Sequence, residues 1–205
     1  MQIPVLTLIA LIFILWLNYE IHTTSSKSKK ALNDFLKREK EANFSRSKDI
    51  TDLDYIIIST ETLPLMDNSD DTINSYRNII VSLSGKKAIN LRDFTNTELK
   101  LKYGTANLKQ LTEYDSNYIT LISILQKWAE RLYIQGSFID CIAVLEYATA
   151  CYCDVIKTYK LLAKLYQLQK TPEKINHLIE LIPHTKLQIQ AKEKLIEALK
   201  SSIHS

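Results

Sequence analysis

The sequence predicts a mainly α-helical protein: an N-terminal transmembrane helix, then a helical repeat domain of helix–turn–helix pairs closed by a capping helix. Three observations carry this. An uncharged apolar run occupies 3–17 (IPVLTLIALIFILWL), with Thr7 as its one polar interruption. Between Ile122 and Ile189 a helical pattern is written twice, Ala129 recurring as Ala163, Leu132 as Tyr166, Leu145 as Ile179 and Trp128 as Leu162, each 34 residues on. A fixed period of that length marks stacked helical pairs. Only three glycines and four prolines punctuate the 205 residues, which starves the chain of turns and favours long helices.

Taken in order, the chain divides into an anchor (1–22), a basic juxtamembrane linker and amphipathic helix (23–50), an extended segment with short helices (51–111) and the repeat domain (112–205). The apolar run alone is short for a span, which needs ~20 residues. Asn18, Tyr19 and Ile21 extend it, with Trp16 and Tyr19 as interfacial anchors. Ile3, Leu8, Leu11, Phe13, Trp16 and Tyr19 are the residues expected to meet lipid. A cleaved signal peptide would carry a basic start and a small-residue cleavage site. Neither is present, so the helix is read as an uncleaved anchor.

Lys27, Lys29, Lys30, Lys37, Arg38, Lys40, Arg46 and Lys48 all follow the apolar run and none precedes it. Such an excess stays on the cytoplasmic side, so the bulk of the chain is expected in the cytoplasm. Residues 23–30 (TTSSKSKK) read as a short polar linker. From Ala31 to Asn43, Leu32, Phe35 and Leu36 share one face of a helix whose other face is charged. That helix would touch anionic headgroups or serve only as a stop-transfer flank.

Within 52–65 the β-branched run Ile56-Ile57-Ile58 favours extended backbone, but no convincing second strand follows. Ile73, Tyr76, Ile80 and Leu83 then mark an amphipathic helix stopping at Ser84-Gly85. Thr95 and Glu98 form a capping-box pair, with Gly104 where a helix-ending glycine belongs. A short helix over about 106–111 follows.

Thr112 and Asp115 are expected to cap a long helix running to Gln135, ended by Gly136. Ser137 and Asp140 cap the next, Asp154 starts a third, and Thr171-Pro172-Glu173 opens a fourth, closed by Pro183. Thr185 with Gln188 begins a last amphipathic helix, 186–203, which would cap the stack.

Trp128-Ala129, Leu132, Gly136-x-Phe138, Cys141, Leu145 and Ala148 make up the first copy; Leu162-Ala163, Tyr166, Ile175 and Ile179 are kept in the second. In these residues the chain resembles the tetratricopeptide repeat family. The second copy departs from it at Lys170, where the turn glycine would stand, and at the small position held by Ile175. Cys153 and Leu187 stand where the family places its repeat-end proline. The resemblance covers about a third of the chain. It implies protein or peptide binding, with the first helix of each pair lining a concave groove. Two stacked copies alone are marginal, so the helices between 70 and 111 are expected to cover the first copy's other end.

On those first helices, Lys157, Lys160, Lys164 and Gln167 share one face in the second copy, and Gln126, Glu130 and Tyr133 lie in the corresponding region of the first. This is the expected peptide groove. A basic stripe favours an acidic or C-terminal carboxylate peptide, whereas a solvated lysine face gives the same pattern. The carboxylate clamp of the family uses an Asn where this chain has Glu130, so that specificity does not carry over.

The composition excludes several classes. A net charge of +3 is too small to argue for nucleic acid. The glycines, at 85, 104 and 136, are too far apart for any phosphate loop, and no hydrolase, zinc-protease or kinase motif occurs. Cys141, Cys151 and Cys153 are an odd, crowded set that reads as buried apolar filler, not as a disulfide framework. His22, His177, His184 and His204 complete no zinc spacing. The chain is therefore expected to be no enzyme and to take no cofactor, metal or small-molecule substrate. Its expected partners are membrane lipid and another protein. Its expected role is a cytoplasmic adaptor or assembly factor on a single-pass anchor. A constitutive subunit of a membrane complex, or an exported repeat protein with a signal peptide, are the alternatives.

Overall fold

The structure is a computed structural model that describes residues 5–203. The chain is mainly helical, and it forms two compact units, each built from separated stretches: 1–50 with 94–108, and 51–93 with 109–205.

In the first unit, helix α1 (Val5–Asn43) runs without a break. No glycine or proline lies within it. Residues 23–30, expected as a linker, therefore continue the helix, because nothing there removes a backbone donor or favours a turn. Among the described residues α1 is the one helix long and apolar enough to cross a membrane. Of the expected anchor residues, Ile3 lies outside the described residues; Leu8, Leu11, Phe13, Trp16 and Tyr19 are all more than half exposed.

Helix α3 (Asn96–Tyr103) packs on the end of α1. Its start is the capping box expected from sequence: the Glu98 N–H donates to the Thr95 hydroxyl at 3.3 Å, and the Thr95 N–H donates to the Glu98 carboxylate at 2.8 Å. Lys100 donates to the Glu39 carboxylate and to the Asn43 side chain, while the Thr97 hydroxyl reaches Glu39 at 2.5 Å. These donors hold the Glu39 carboxyl below its usual range. Ala42, Leu99 and Tyr103 are buried. The chain leaving α1 then crosses Gly104, where the Lys48 N–H donates to the Tyr103 carbonyl at 3.0 Å. Gly104 has φ +91, and a Cβ there would stand 2.5 Å from the Ser47 Cα and closer still to the Arg46 carbonyl oxygen.

In the second unit, strand β1 (Ile56–Ile57) pairs antiparallel with β2 (Lys87–Ala88), Ile56 opposite Ala88. The strand expected to stand alone thus has a partner, two residues long, just past the Gly85 turn. Between them α2 (Asp71–Leu83) is capped by Asp70, which accepts the Thr72 N–H at 2.9 Å and an Arg131 N–H at 2.5 Å. It buries Ile73, Ile80 and Leu83.

Five helices follow: α4 (Leu108–Gln135), α5 (Phe138–Ala150), α6 (Ile156–Leu168), α7 (Pro172–Leu181) and α8 (Ile189–Ile203). α6 packs against α5, α7 and α8, and α7 against α8. α4 runs straight through Thr112 and Asp115 and so corrects the cap expected there. The Asp115 carboxylate instead accepts the Leu91 N–H at 2.8 Å, a tertiary bond. Ser137 and Thr171 stand at N-cap positions, but neither side chain makes the cap bond. Asp154 lies just outside α6, and α7 ends at Leu181 before a 3-10 turn over Ile182–His184. The last helix begins at Ile189, not 186. Of the stretch 70–111, α2 joins the core of this unit, while 94–108 packs with α1. It is thus no single block covering one end of the pairs.

The 34-residue period reappears in the backbone. At the end of α4 the Ser137 N–H donates to the Leu132 carbonyl at 3.0 Å, and the Gly136 N–H to that of Tyr133 at 3.1 Å. At the end of α6 the Thr171 N–H donates to Tyr166 at 3.0 Å, and the Lys170 N–H to Gln167 at 3.0 Å. Each is the C-terminal lock in which a left-handed residue satisfies the last carbonyls. Burial repeats with it. Leu125, Trp128, Ala129 and Leu132 are buried, as are Tyr159, Leu162, Ala163 and Tyr166 at the same offset. Cys141, Val144 and Ala148 on α5 match Ile175, Leu178 and Ile182.

Candidate partner-binding groove

The first helices of the two pairs, α4 and α6, are joined by a polar bridge. The Thr158 hydroxyl donates to the Gln126 side-chain oxygen at 2.5 Å, and the Gln126 amide donates to Glu130 at 2.8 Å. Gln126 is thereby fixed in orientation, with its carbonyl to α6 and its amide along α4. Beside this bridge lies a cleft of about 440 Å³. Six of the seven residues expected from sequence line it: Gln126, Glu130, Tyr133, Lys157, Lys160 and Lys164. Gln167 is not among them; its amide donates to the Ser202 carbonyl on α8. The alignment of Gln167 with the lysine face is therefore only a matter of helical spacing.

The electrostatics are one-sided. Lys157, Lys160 and Lys164 face a single carboxylate, Glu130, which is already engaged by the Gln126 amide. Among the described residues none of the three lysines has a salt-bridge partner. Lys164 rests 5.1 Å from the centre of the Tyr133 ring, a cation–π contact that holds its ammonium at the cleft wall. Two apolar residues that sequence reasoning missed, Ile134 and Leu161, complete the wall. Ile134 is 75% exposed, and Leu168, 34 residues later, is 61% exposed. That recurrence was the one sequence signal available, because an apolar residue at both matching positions is unneeded by the core.

The cleft opens into a larger one of about 690 Å³ that shares Gln126, Glu130 and Lys157 with it. Its far end is polar and includes Asn90, Arg92, Asp115 and Asp154. The buried Asp154 side chain pairs with Arg92 at 2.6 Å and accepts from Asn90 at 3.4 Å. Tyr118 donates its hydroxyl to the Tyr152 carbonyl at 3.1 Å, and burial pushes that phenol well above its ordinary range. No local pattern in the sequence places Asn90 or Arg92 here; they arrive on the segment after β2, and Asp115 is satisfied by the same segment.

The cysteines lie away from this groove in the core. Burial pushes the Cys141 and Cys151 thiols up to about 12 and raises Cys153 as well, so they stay protonated and unreactive at neutral pH. Among the described residues no three His, Cys, Asp or Glu side chains come together as a metal site. Compared with protein-family models, curated proteins and solved structures, the chain gives no match.

Proposed function

We propose that this protein is a single-pass membrane protein whose tetratricopeptide-like helical pairs, α4–α5 and α6–α7, act as a cytoplasmic adaptor or assembly factor for an acidic segment of another protein. The observation that carries the reading is the cleft where Lys157, Lys160 and Lys164 converge around one already-engaged carboxylate. Three ammonium groups near one another repel, and a ligand carboxylate relieves that repulsion with charge-assisted hydrogen bonds. The apolar wall of Tyr133, Ile134 and Leu161 gives such a segment something to bury beside its charge. The 34-residue recurrence of the helix-end locks supports the repeat reading. The length and apolarity of α1, with every nearby Lys and Arg on its C-terminal side, support the anchor and its orientation.

The test is crosslinking in native membranes from photoreactive groups at 157 and 160, with identification of the captured protein. Its yield is expected to fall in the Lys157→Glu/Lys160→Glu variant and with rising salt. Unchanged capture in that variant would remove the groove from the reading. A C-terminal reporter that is active outside the cytoplasm would remove the orientation.

A further inference from the structure

We infer that α1 pairs in parallel with α1 of a second copy of this chain, through the face that carries Leu32, Phe35 and Leu36. The inference rests on the reading of α1 as a membrane span.

That face is covered at one end and bare at the next. Glu39, Ala42 and Asn43 meet α3, and Ala42 is fully buried. One heptad earlier the equivalent positions are Leu32, Phe35 and Leu36, all exposed by more than half. α3 is only eight residues long, its first turn lies at Glu39, and it leaves the preceding heptad uncovered.

Lipid cannot cover these side chains. Leu32 lies eleven residues beyond Ile21, which is about 16 Å along a helix axis. The headgroup zone is only ~5–8 Å deep on each side of the hydrocarbon core. Even at a tilt of ~40°, near the upper limit seen for spanning helices, Leu32 stands roughly 13 Å out. Because α1 is unbroken from Val5 to Asn43, its outer half does not lie down on the surface. A protein surface must cover the stripe.

The stripe continues into the membrane-spanning half. Leu11, Ile14, Asn18 and Ile21 hold the same spacing of three and four residues, and Ser28 carries it on towards Leu32. The covering element must therefore run beside α1 through both media. A second copy meets this by construction: copies inserted in the same sense present identical residues at the same depth. Charge agrees. Lys27, Lys30, Asp34, Lys37 and Glu41 fall on the opposite face, so two copies approach without opposing like charges. Lys29 lies at the edge, where its stem can follow the seam while its ammonium reaches water. Asn18, the one amide on the stripe, meets its counterpart across the pair and fixes the register. Below Leu36 the two helices must part to make room for each α3.

The test uses the full chain in native membranes. Single cysteines replace Ser28 or Leu32 on the seam, and Lys30 or Lys37 off it, and are oxidised before non-reducing electrophoresis. The three native thiols are buried and supply no background. Ser28→Cys and Leu32→Cys are expected to give a band at twice the chain's mass, lost in Lys30→Cys and Lys37→Cys. As a second measurement, tagged and untagged copies co-expressed in one cell should co-purify in mild detergent, and Leu32→Asp/Phe35→Asp should abolish that. Equal crosslinking at all four positions, or a seam adduct with a different protein, overturns the pairing while leaving the anchor intact. Release of the chain from membranes by alkaline carbonate would overturn the anchor and the pairing with it.

Discussion

Lys170 stands at φ 55 in the left-handed region, 34 residues after Gly136 at φ 82, and closes the same helix-end turn. Two residues of opposite conformational freedom thus do one geometric job. For an L side chain the left-handed region costs ~1–2 kcal/mol, part of which glycine returns as unfolded-chain entropy. Lys170 is exposed, so removal of its side chain uncovers nothing. Lys170→Gly is therefore expected to stabilise the chain by about 0.5–1 kcal/mol. Gly136→Ala, where a Cβ meets no atom within 4 Å, should cost about 1 kcal/mol from φ alone. Thermal unfolding of the full chain in detergent, followed by its helical circular dichroism, reads both. Opposite signs at the two positions are the expected result.

Gly104 is constrained differently, by space as well as by φ. A Cβ there meets main chain at Arg46 and Ser47, which cannot rotate away. Gly104→Ala is expected to separate 44–50 from α3 and to cost more than Gly136→Ala, about 2–3 kcal/mol or above. Limited proteolysis within 44–50 should become faster in Gly104→Ala, with cleavage in 137–138 unchanged. Equal protease resistance at 44–50 would argue against this close approach.

What could be read from the sequence was what neighbours in the chain decide. The apolar run, the Thr95–Glu98 capping box and the 34-residue register are each written in residues within a few turns of one another. The lysine cleft followed from helical spacing once the two copies were aligned. What stayed hidden depends on distant partners. Ile56 has no local sign that Ala88 will pair with it, since two-residue strands carry no alternation. Asp115 looks like a cap until Leu91 supplies its donor from elsewhere, and Gln167 looks like a groove residue until α8 takes its amide. Residues 23–30 look like a linker by composition, yet contain no glycine or proline to stop the helix that enters them.

The Arg92–Asp154 pair joins an exposed cation to a buried anion, with the Asp154 side chain only 4% accessible against 59% for Arg92. The two ends are therefore not equivalent. Arg92→Ala leaves the carboxylate in the protein with Asn90 as its remaining donor, a loss expected to cost about 1–3 kcal/mol. Asp154→Asn leaves the guanidinium in water and keeps an acceptor for Asn90, so it should cost less. Chemical or thermal unfolding of the two variants in parallel tests the order. A larger loss in Asp154→Asn would show that the carboxylate is held chiefly by something other than Arg92.

Alkaline pH should destabilise the second unit more steeply than a typical surface would. Burial raises the thiols of Cys141, Cys151 and Cys153 and the phenols of Tyr118, Tyr147, Tyr159 and Tyr166. Cys141 and Cys151 rise to about 12 from an ordinary value of 9.0, and Tyr147 to about 12 from 10.0. In the unfolded chain these groups lose protons from about pH 9 upward, whereas in the folded chain they keep them. The unfolded state then binds fewer protons, so stability falls as pH rises. The contribution is fully present below about pH 9 and is lost progressively towards pH 12. Melting temperature is expected to be flat with respect to these groups from pH 7 to 8.5 and to fall across pH 9 to 11. Cys141→Ala should lessen that slope even though it removes a buried side chain, because it deletes one of the titrating groups. An unchanged slope in Cys141→Ala, or a melting temperature level to pH 11, would show that these groups are not kept protonated by the fold.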